Sequence, residues 1–258
     1  MPDAERIQLA HGGGGQRTAE LIERVILPAL SPAGGPAAGR AQQPGRLTDA
    51  AEVAIPRGRA VFTTDSYVVK PLEFPGGDIG TLAICGTVND LAVCGAAPRA
   101  LSLGLVIEEG FEIARLRRLL TSAGRAAADA DVAVVTGDTK VVERGSLDGL
   151  MANTAGIGEA MAGAELGFDR VRPGDRIVLS GPLGEHGLAV MSRREGLSFS
   201  AELVSDCAAV HRLTASLIER LGSAVRFMRD PTRGGLAATL AELAAATGRD
   251  IEIDETAI

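Results

Sequence analysis

A chain of 258 residues with 46% hydrophobic content is long enough for two modest domains and a sizeable core, and it holds no run of about eighteen apolar residues, which excludes a membrane-spanning helix. The net charge of −7 comes with no block of Lys or Arg, and Tyr67 and six Phe are the only aromatics, so a nucleic-acid partner is excluded on charge and on base stacking alike. The opening MPDAERIQLA has neither the basic nor the apolar part of a signal peptide, which predicts a cytoplasmic protein. Three cysteines without CxxC spacing, Cys85, Cys94 and Cys207, suit reduced thiols, with Cys85 and Cys94 in the core.

In chain order, His11 stands before four glycines, 12–15, that lead into a helical pattern over 16–30 with Leu21, Ile22, Val25 and Ile26 at helical spacing. Backbone N–H groups at Gly13 and Gly14 can turn toward an anion at that helix start; a flexible arm is the plainer alternative. No Walker motif or GxGxxG unit is present. Residues 31–46, rich in Pro, Gly and Ala, predict an exposed, mobile insertion. Segments 51–55 and 60–64 predict a hairpin about 56–58, and the second strand ends in Asp65, which puts a carboxylate at a strand mouth. Pro75, Gly76 and Gly77 then break the chain, and Asp78 caps a buried, small-residue helix that runs to Gly95. That helix carries Asn89 and Asp90, which need either a bound cation or an internal polar partner.

Alternation at Leu101, Leu103, Leu105 and Ile107 predicts a strand, and 112–129 an amphipathic helix. An apolar run from Val132 again ends in Thr136-Gly137-Asp138-Thr139-Lys140, read as a strand followed by a turn. Two strand-end acids plus one on a helix predict Asp65, Asp90 and Asp138 around one Mg2+, with Lys140 toward phosphate; an ordinary Asp-Gly turn is the alternative. The first half closes with a strand over 149–158, in which Asn153 and Thr154 are either polar ligands or a solvated face, and the domain boundary falls near Gly163. Residues 176–180 predict a short strand, and 201–221 a long helix in which His211 is structural. Two glycine-rich elbows, 181–187 with Glu185 and His186, and 229–235 with Arg229 and Arg233, each open a helix, the second with Thr232 as its cap. The arginines make either an anion pocket or a solvated face beside tight glycine packing.

Taken together, HGGGG, TTDSYVVKPLEFPGGDIG, GTVNDLAVCGAAP, VVTGDTKVV, NTAGIG, SGPLGEHG and MRDPTRGGL resemble, in order and spacing over nearly the whole chain, the HypE family of hydrogenase maturation proteins. PGGDIG and GTVNDLA combined with DPTRGGL separate it from aminoimidazole ribonucleotide synthetase, selenophosphate synthetase and thiamine monophosphate kinase. The resemblance implies a two-domain α/β fold of the aminoimidazole ribonucleotide synthetase type. A first domain (1–162) with a mixed sheet would bind ATP and form a barrel with a second copy, and 163–258 would be a second α/β domain. It implies ATP-dependent dehydration of an S-carbamoyl group to thiocyanate, for the cyanide ligands of [NiFe]-hydrogenase, with the carbamoyltransferase HypF and the HypC/HypD complex as partners. Carried over to this chain, Asp65, Asp90 and Asp138 hold Mg2+ on ATP with Asn89 alongside, and Thr139 and Lys140 meet the phosphates. Gly13, Gly14, Arg229 and Arg233 complete the nucleotide site, and His11, Glu185 and His186 are the candidate bases.

The family ends in a Pro-Arg-x-Cys type tail, whereas this sequence stops at Ile258. The expectation is a truncated second domain that exposes apolar surface, and a chain that binds Mg-ATP without carrying its own substrate. Two rival readings accompany this one. One is a related kinase or synthetase acting on a small phosphorylated substrate, and the other is a non-catalytic scaffold of a maturation complex.

Overall fold

The computed structural model describes residues 6–12, 16–30, 58–197, 203–232, 234–254 and 256. The expected insertion at 31–46, the strand at 51–55 with most of its turn, Gly13, Gly14 and Arg233 lie outside the described residues.

Four strands make a mixed sheet in the order β1-β6-β4-β5: β1 (Ala60–Tyr67), β4 (Ala96–Glu108), β5 (Ala133–Val142) and β6 (Leu150–Ala160). β6 runs antiparallel to both β1 and β4, and β5 runs parallel to β4. The alternation expected in β4 is present, with Leu101, Leu103, Leu105 and Ile107 all buried on one face. That face is covered by α2 (Ile79–Val93), which packs on β1, β4 and β6, and by α3 (Ile113–Asp129), which packs on α2. A further helix, α1, runs from 16 to 30 with a π-helical turn at Ile22–Ile26 and lies against α3. Leu116, Leu119 and Leu120 of α3 join Ile79, Ile84 and Val88 of α2 in the core.

The start of α2 follows from its sequence. Pro75 and Gly76 connect the two-residue strands β2 (Glu73–Phe74) and β3 (Gly77–Asp78), with Gly76 at φ +88°, the backbone region that glycine enters without strain. Asp78 Oδ1 accepts the N–H of Thr81 at 2.9 Å, the cap expected for this helix. Small residues then let α2 approach its neighbours closely: a Cβ on Gly80 would strike the Leu119 carbonyl of α3. Its one buried hydroxyl is fully satisfied, since Thr87 Oγ1 donates to Ala83 O at 3.0 Å and also contacts Thr154 Oγ1 and the Tyr67 hydroxyl.

Two strands differ from expectation in the same way. Asp65 and Asp138 lie inside β1 and β5, not at their ends, because the pairing with β6 and β4 continues past both. Gly137 is a strand residue whose Cβ would meet the Leu103 carbonyl of β4, so its glycine reflects close strand packing and no turn.

Among the described residues the second half carries helices α4 (Glu185–Glu195), α5 (His211–Leu221) and α6 (Gly235–Thr247) and no strand. The strand expected at 176–180 is extended chain without a ladder partner, and Ile177 and Val178 are 49% and 87% exposed. The helix expected over 201–221 begins only at His211. Residues 203–210 instead form a non-helical strap, whose backbone finds partners at Pro75 O and at the side chain of Asn89. Gly184 and Gly234, at φ +80° each, stand at the starts of α4 and α6, so the second elbow is capped by glycine and not by Thr232. Among the described residues no helix is long and apolar enough to cross a membrane.

Candidate functional site

Laterally paired residues of a sheet share a face, so register assigns each acid to a side. Asp65 pairs with Thr154, which pairs in turn with Leu103 and, across β4, Gly137. Thr154 is fully buried against Thr87 of α2, so Asp65 belongs to the face that α2 covers. Thr63, two residues earlier on that face, donates its hydroxyl to Asp90 Oδ2 at 2.9 Å. Asp90 sits in the last turn of α2, and its position beside β1 is therefore fixed by a side-chain bond across the two elements.

The elbow before α6 closes on the same place. Burial first, and then the carboxylate of Asp65, holds the Asp90 carboxyl above the usual range, against the Thr63 hydroxyl and the Arg229 guanidinium, which pull it down. Asp230 is raised as well, first by burial and next by Asp90, with Asp65 adding to it. Arg229 also pairs with Glu242 of α6 at 3.1 Å, so its charge is shared between the acids and a neighbouring helix. Cys94, expected in the core, is exposed at the end of α2, where partial burial of its thiol and the charges of Asp90 and Asp230 push it up.

Asp230 was not among the residues the sequence singled out. The two arginines flanking it in RDPTR dominate that elbow and direct attention to an anion pocket. The available signal was a further lone carboxylate in the glycine-rich elbow that opens α6.

Asp138 goes to the other side. It pairs with Gly104, and Gly104 with Asn153 and Ser66, the row next to that of Asp65 and on the opposite face. It also lies three strand spacings, ~14 Å, from β1. Lys140, two residues on, shares its face and pairs with Asp138 Oδ2 at 3.8 Å, whereas Thr139 turns to the covered face in the row of Leu105 and Tyr67. Within one copy, then, Asp138 does not join Asp65 and Asp90, and among the described residues no three His, Cys, Asp or Glu side chains converge tightly enough to hold an ion by themselves. The 3-10 turn Leu9–Gly12 lies against β5, so His11 belongs with the Asp138 half; its Nδ1 accepts the Gln8 N–H at 2.9 Å.

Two further candidates are engaged elsewhere. Asn89, expected beside the nucleotide, donates from Nδ2 to Ala208 O at 3.0 Å and accepts the Val210 N–H on Oδ1 at 2.8 Å, clamping the strap to α2. His186 hydrogen-bonds through Nδ1 to Ser205 Oγ at 2.9 Å and stands edge-on to Phe74, near the start of α2. Eleven helical residues, ~16 Å of rise, separate that end from Asp90. Burial lowers the His186 pKa, so it is neutral near pH 7. Glu185, next to it, opens α4.

Comparison with known proteins supplies the rest. Residues 47–160 match the family described as AIR synthase related protein, N-terminal domain, and 172–258 match its C-terminal domain. The chain is 49% identical over 253 residues to the carbamoyl dehydratase HypE of Rhizobium leguminosarum bv. viciae, covering 98% of this chain and 70% of that protein. A crystal structure of hydrogenase maturation protein HypE in complex with ATP superposes with a TM-score of 0.84 at 45% identity, over 93% of this chain and 68% of that one. A HypE-HypF complex gives 0.72 at 47%, over 76% and 64%.

Proposed function

Because this chain belongs to the HypE family of hydrogenase maturation carbamoyl dehydratases, we propose that it binds Mg-ATP and serves the ATP-dependent conversion of an S-carbamoyl group to thiocyanate, the source of the cyanide ligands of [NiFe]-hydrogenase. The observation that carries the reading is that Asp90 and Asp230, near the end of α2, are both raised first by burial and then by neighbouring acids, with Asp65 acting on both. Carboxyls raised by burial and by one another, with Arg229 shared between them and Glu242, suit a cation that arrives with its own ligands. Mg2+ does this, because it takes one or two carboxylates and fills its remaining positions with water and phosphate oxygens. Bound there, it would neutralise charge on the phosphates of ATP during transfer to the amide oxygen.

The chain's own residues have simpler tasks. Asp65 and Asp90 would hold the cation with Asp230 beside them in the same field, and Thr63 fixes the Asp90 rotamer by its hydroxyl. Lys140 meets phosphate with Asp138 beside it, and Thr139, on the covered face, stays out of that contact. Since Asp138 and Lys140 occupy the opposite face and edge of the sheet, we read the complete site as built from two copies, the acid half of one and the β5 half of the other. The open outer face, where Phe62 is 68% exposed, supports a homodimer. Phosphate is a far better leaving group than amide oxygen, so positioning and charge neutralisation carry most of the reaction, and a base must take the amide protons. Of His11, Glu185 and His186, His11 is favoured because its turn packs on β5, the strand that carries Asp138 and Lys140. We read 1–162 as the nucleotide-binding and dimerising domain and 163–258 as the second domain, in a cytoplasmic protein. HypF is the expected carbamoyl donor, supported by the HypE-HypF relative, and HypC/HypD the acceptor.

Mixed-copy titration tests this. Asp65→Ala and Asp138→Ala each abolish Mg-ATP binding in calorimetry, and an equimolar, freely exchanging mixture of the two variants recovers about a quarter of the sites, since half the dimers are mixed and each restores one of its two sites. Unchanged binding by either single variant refutes the metal assignment, and binding loss without recovery in a mixture shown to exchange subunits refutes the shared site.

A further inference from the structure

The strap at 203–210 brings two sulfurs together that the proposed reaction does not use. Asn89 holds Ala208 and Val210 against α2 through both ends of its amide. One turn earlier on the same face of the helix stands Cys85, 5% exposed, and one residue before Ala208 stands Cys207, packed on the same core. The clamp thus sets Cys207 beside the turn of α2 that carries Cys85, and each thiol acts on the other's proton affinity. They come from elements 122 residues apart in sequence (207 less 85), one on the helix that carries Asp90 and the other on the strap leading to α5. Both are reduced in the structure.

We propose that Cys85 and Cys207 form a reversible disulfide on exposure to peroxide, fastening the strap to α2. The neighbouring Cys207 lowers the Cys85 thiol while Cys85, and then burial, push the Cys207 thiol up, so Cys85 is the nucleophile of the pair. The Cys85 thiolate attacks one oxygen of hydrogen peroxide; the O–O bond breaks, a sulfenic acid forms, and hydroxide leaves to be protonated to water. Cys207 sulfur then attacks the sulfenic sulfur; the S–S bond forms, the S–O bond breaks, and the departing hydroxide takes the Cys207 proton as a second water. Two thiols are oxidised by two electrons and one peroxide is reduced. A neighbouring resolving thiol competes with further oxidation of the sulfenic acid and closes the disulfide first. Cys94, exposed at the other end of α2, has no thiol partner among the described residues and is the internal control.

The test uses the wild-type chain, hydrogen peroxide and dithiothreitol. After brief peroxide treatment and quenching, alkylation and peptide mapping should show two of the three thiols lost together, a Cys85–Cys207 cross-linked peptide, and full return of both on reduction. The oxidised protein should melt about 5 °C or more higher than the reduced one, as closing a long loop demands. Cys94→Ser should leave the cross-link intact, and Cys207→Ser should leave Cys85 over-oxidised without a cross-link. Three thiols surviving while a peroxide-sensitive control protein is oxidised, oxidation confined to Cys94, or sulfinic acid on Cys85 in the wild-type chain would each overturn the proposal. Because mapping is done on the unaltered protein, it stands whether or not the serine variants fold.

Discussion

Asn89→Ala separates a clamp from a ligand at one position. In the structure its amide makes two hydrogen bonds, to Ala208 O at 3.0 Å and from Val210 N–H at 2.8 Å, and both partners are backbone groups of the strap. Each bond contributes about 0.5–1.5 kcal/mol net, and the half-buried Val210 N–H left without a partner adds desolvation that water reaches only in part. The sum is about 2–3 kcal/mol, which for a chain of this length lowers Tm by roughly 5–10 °C. Thermal unfolding followed by circular dichroism measures it. Hydrogen exchange at Val210 locates it, because that amide should exchange at the rate of local strap opening once its acceptor is gone. Calorimetry on the folded variant should find Mg-ATP affinity changed less than about threefold. A variant that melts within a degree of the wild type, keeps Val210 protected and yet loses nucleotide would refute the clamp and return Asn89 to the nucleotide site.

The acid cluster gives a prediction with a definite sign. Asp90 and Asp230 have folded-state pKa values above the ordinary 3.8, so the folded state binds more protons than the unfolded one and stability falls as pH rises from there through the raised values. Asp230→Asn, which removes that charge, should therefore melt a few degrees above the wild type at pH 7 without divalent cation. The gain should shrink toward pH 4, and Mg-ATP should no longer raise Tm; a variant less stable at pH 7 would contradict it. Thr87→Val keeps the shape but strands the buried Thr154 and Tyr67 hydroxyls, for a loss of about 2–3 kcal/mol and roughly 5–10 °C in Tm, measured by calorimetric scan.

Much of the first half could be read directly. The alternation of β4 and the Asp78 cap depend on residues next to one another, and the structure repeats them. Asp138 was harder for a definite reason. Thr-Gly-Asp after an apolar run reads locally as a turn, but the glycine answers to the Leu103 carbonyl of a strand some thirty residues earlier, and its face is set by a register that spans four strands. Asn89 illustrates the same limit, since its partners lie 119 and 121 residues away. Asp230 was hidden by its arginine neighbours, and only the nearness of Asp90 reveals it as an acid among acids. In the second half, apolar stretches such as 176–180 carry strand-like composition, yet a strand exists only where a neighbour completes its ladder.

Gly80 brings the backbone of α2 into direct touch with the carbonyl of Leu119, and that contact leaves the helix no room to slide or roll. Asp90 is thus mounted on a fixed post. Any side chain at position 80 would push α2 off α3 and carry Asp90 with it, so a change far from the acids would displace them.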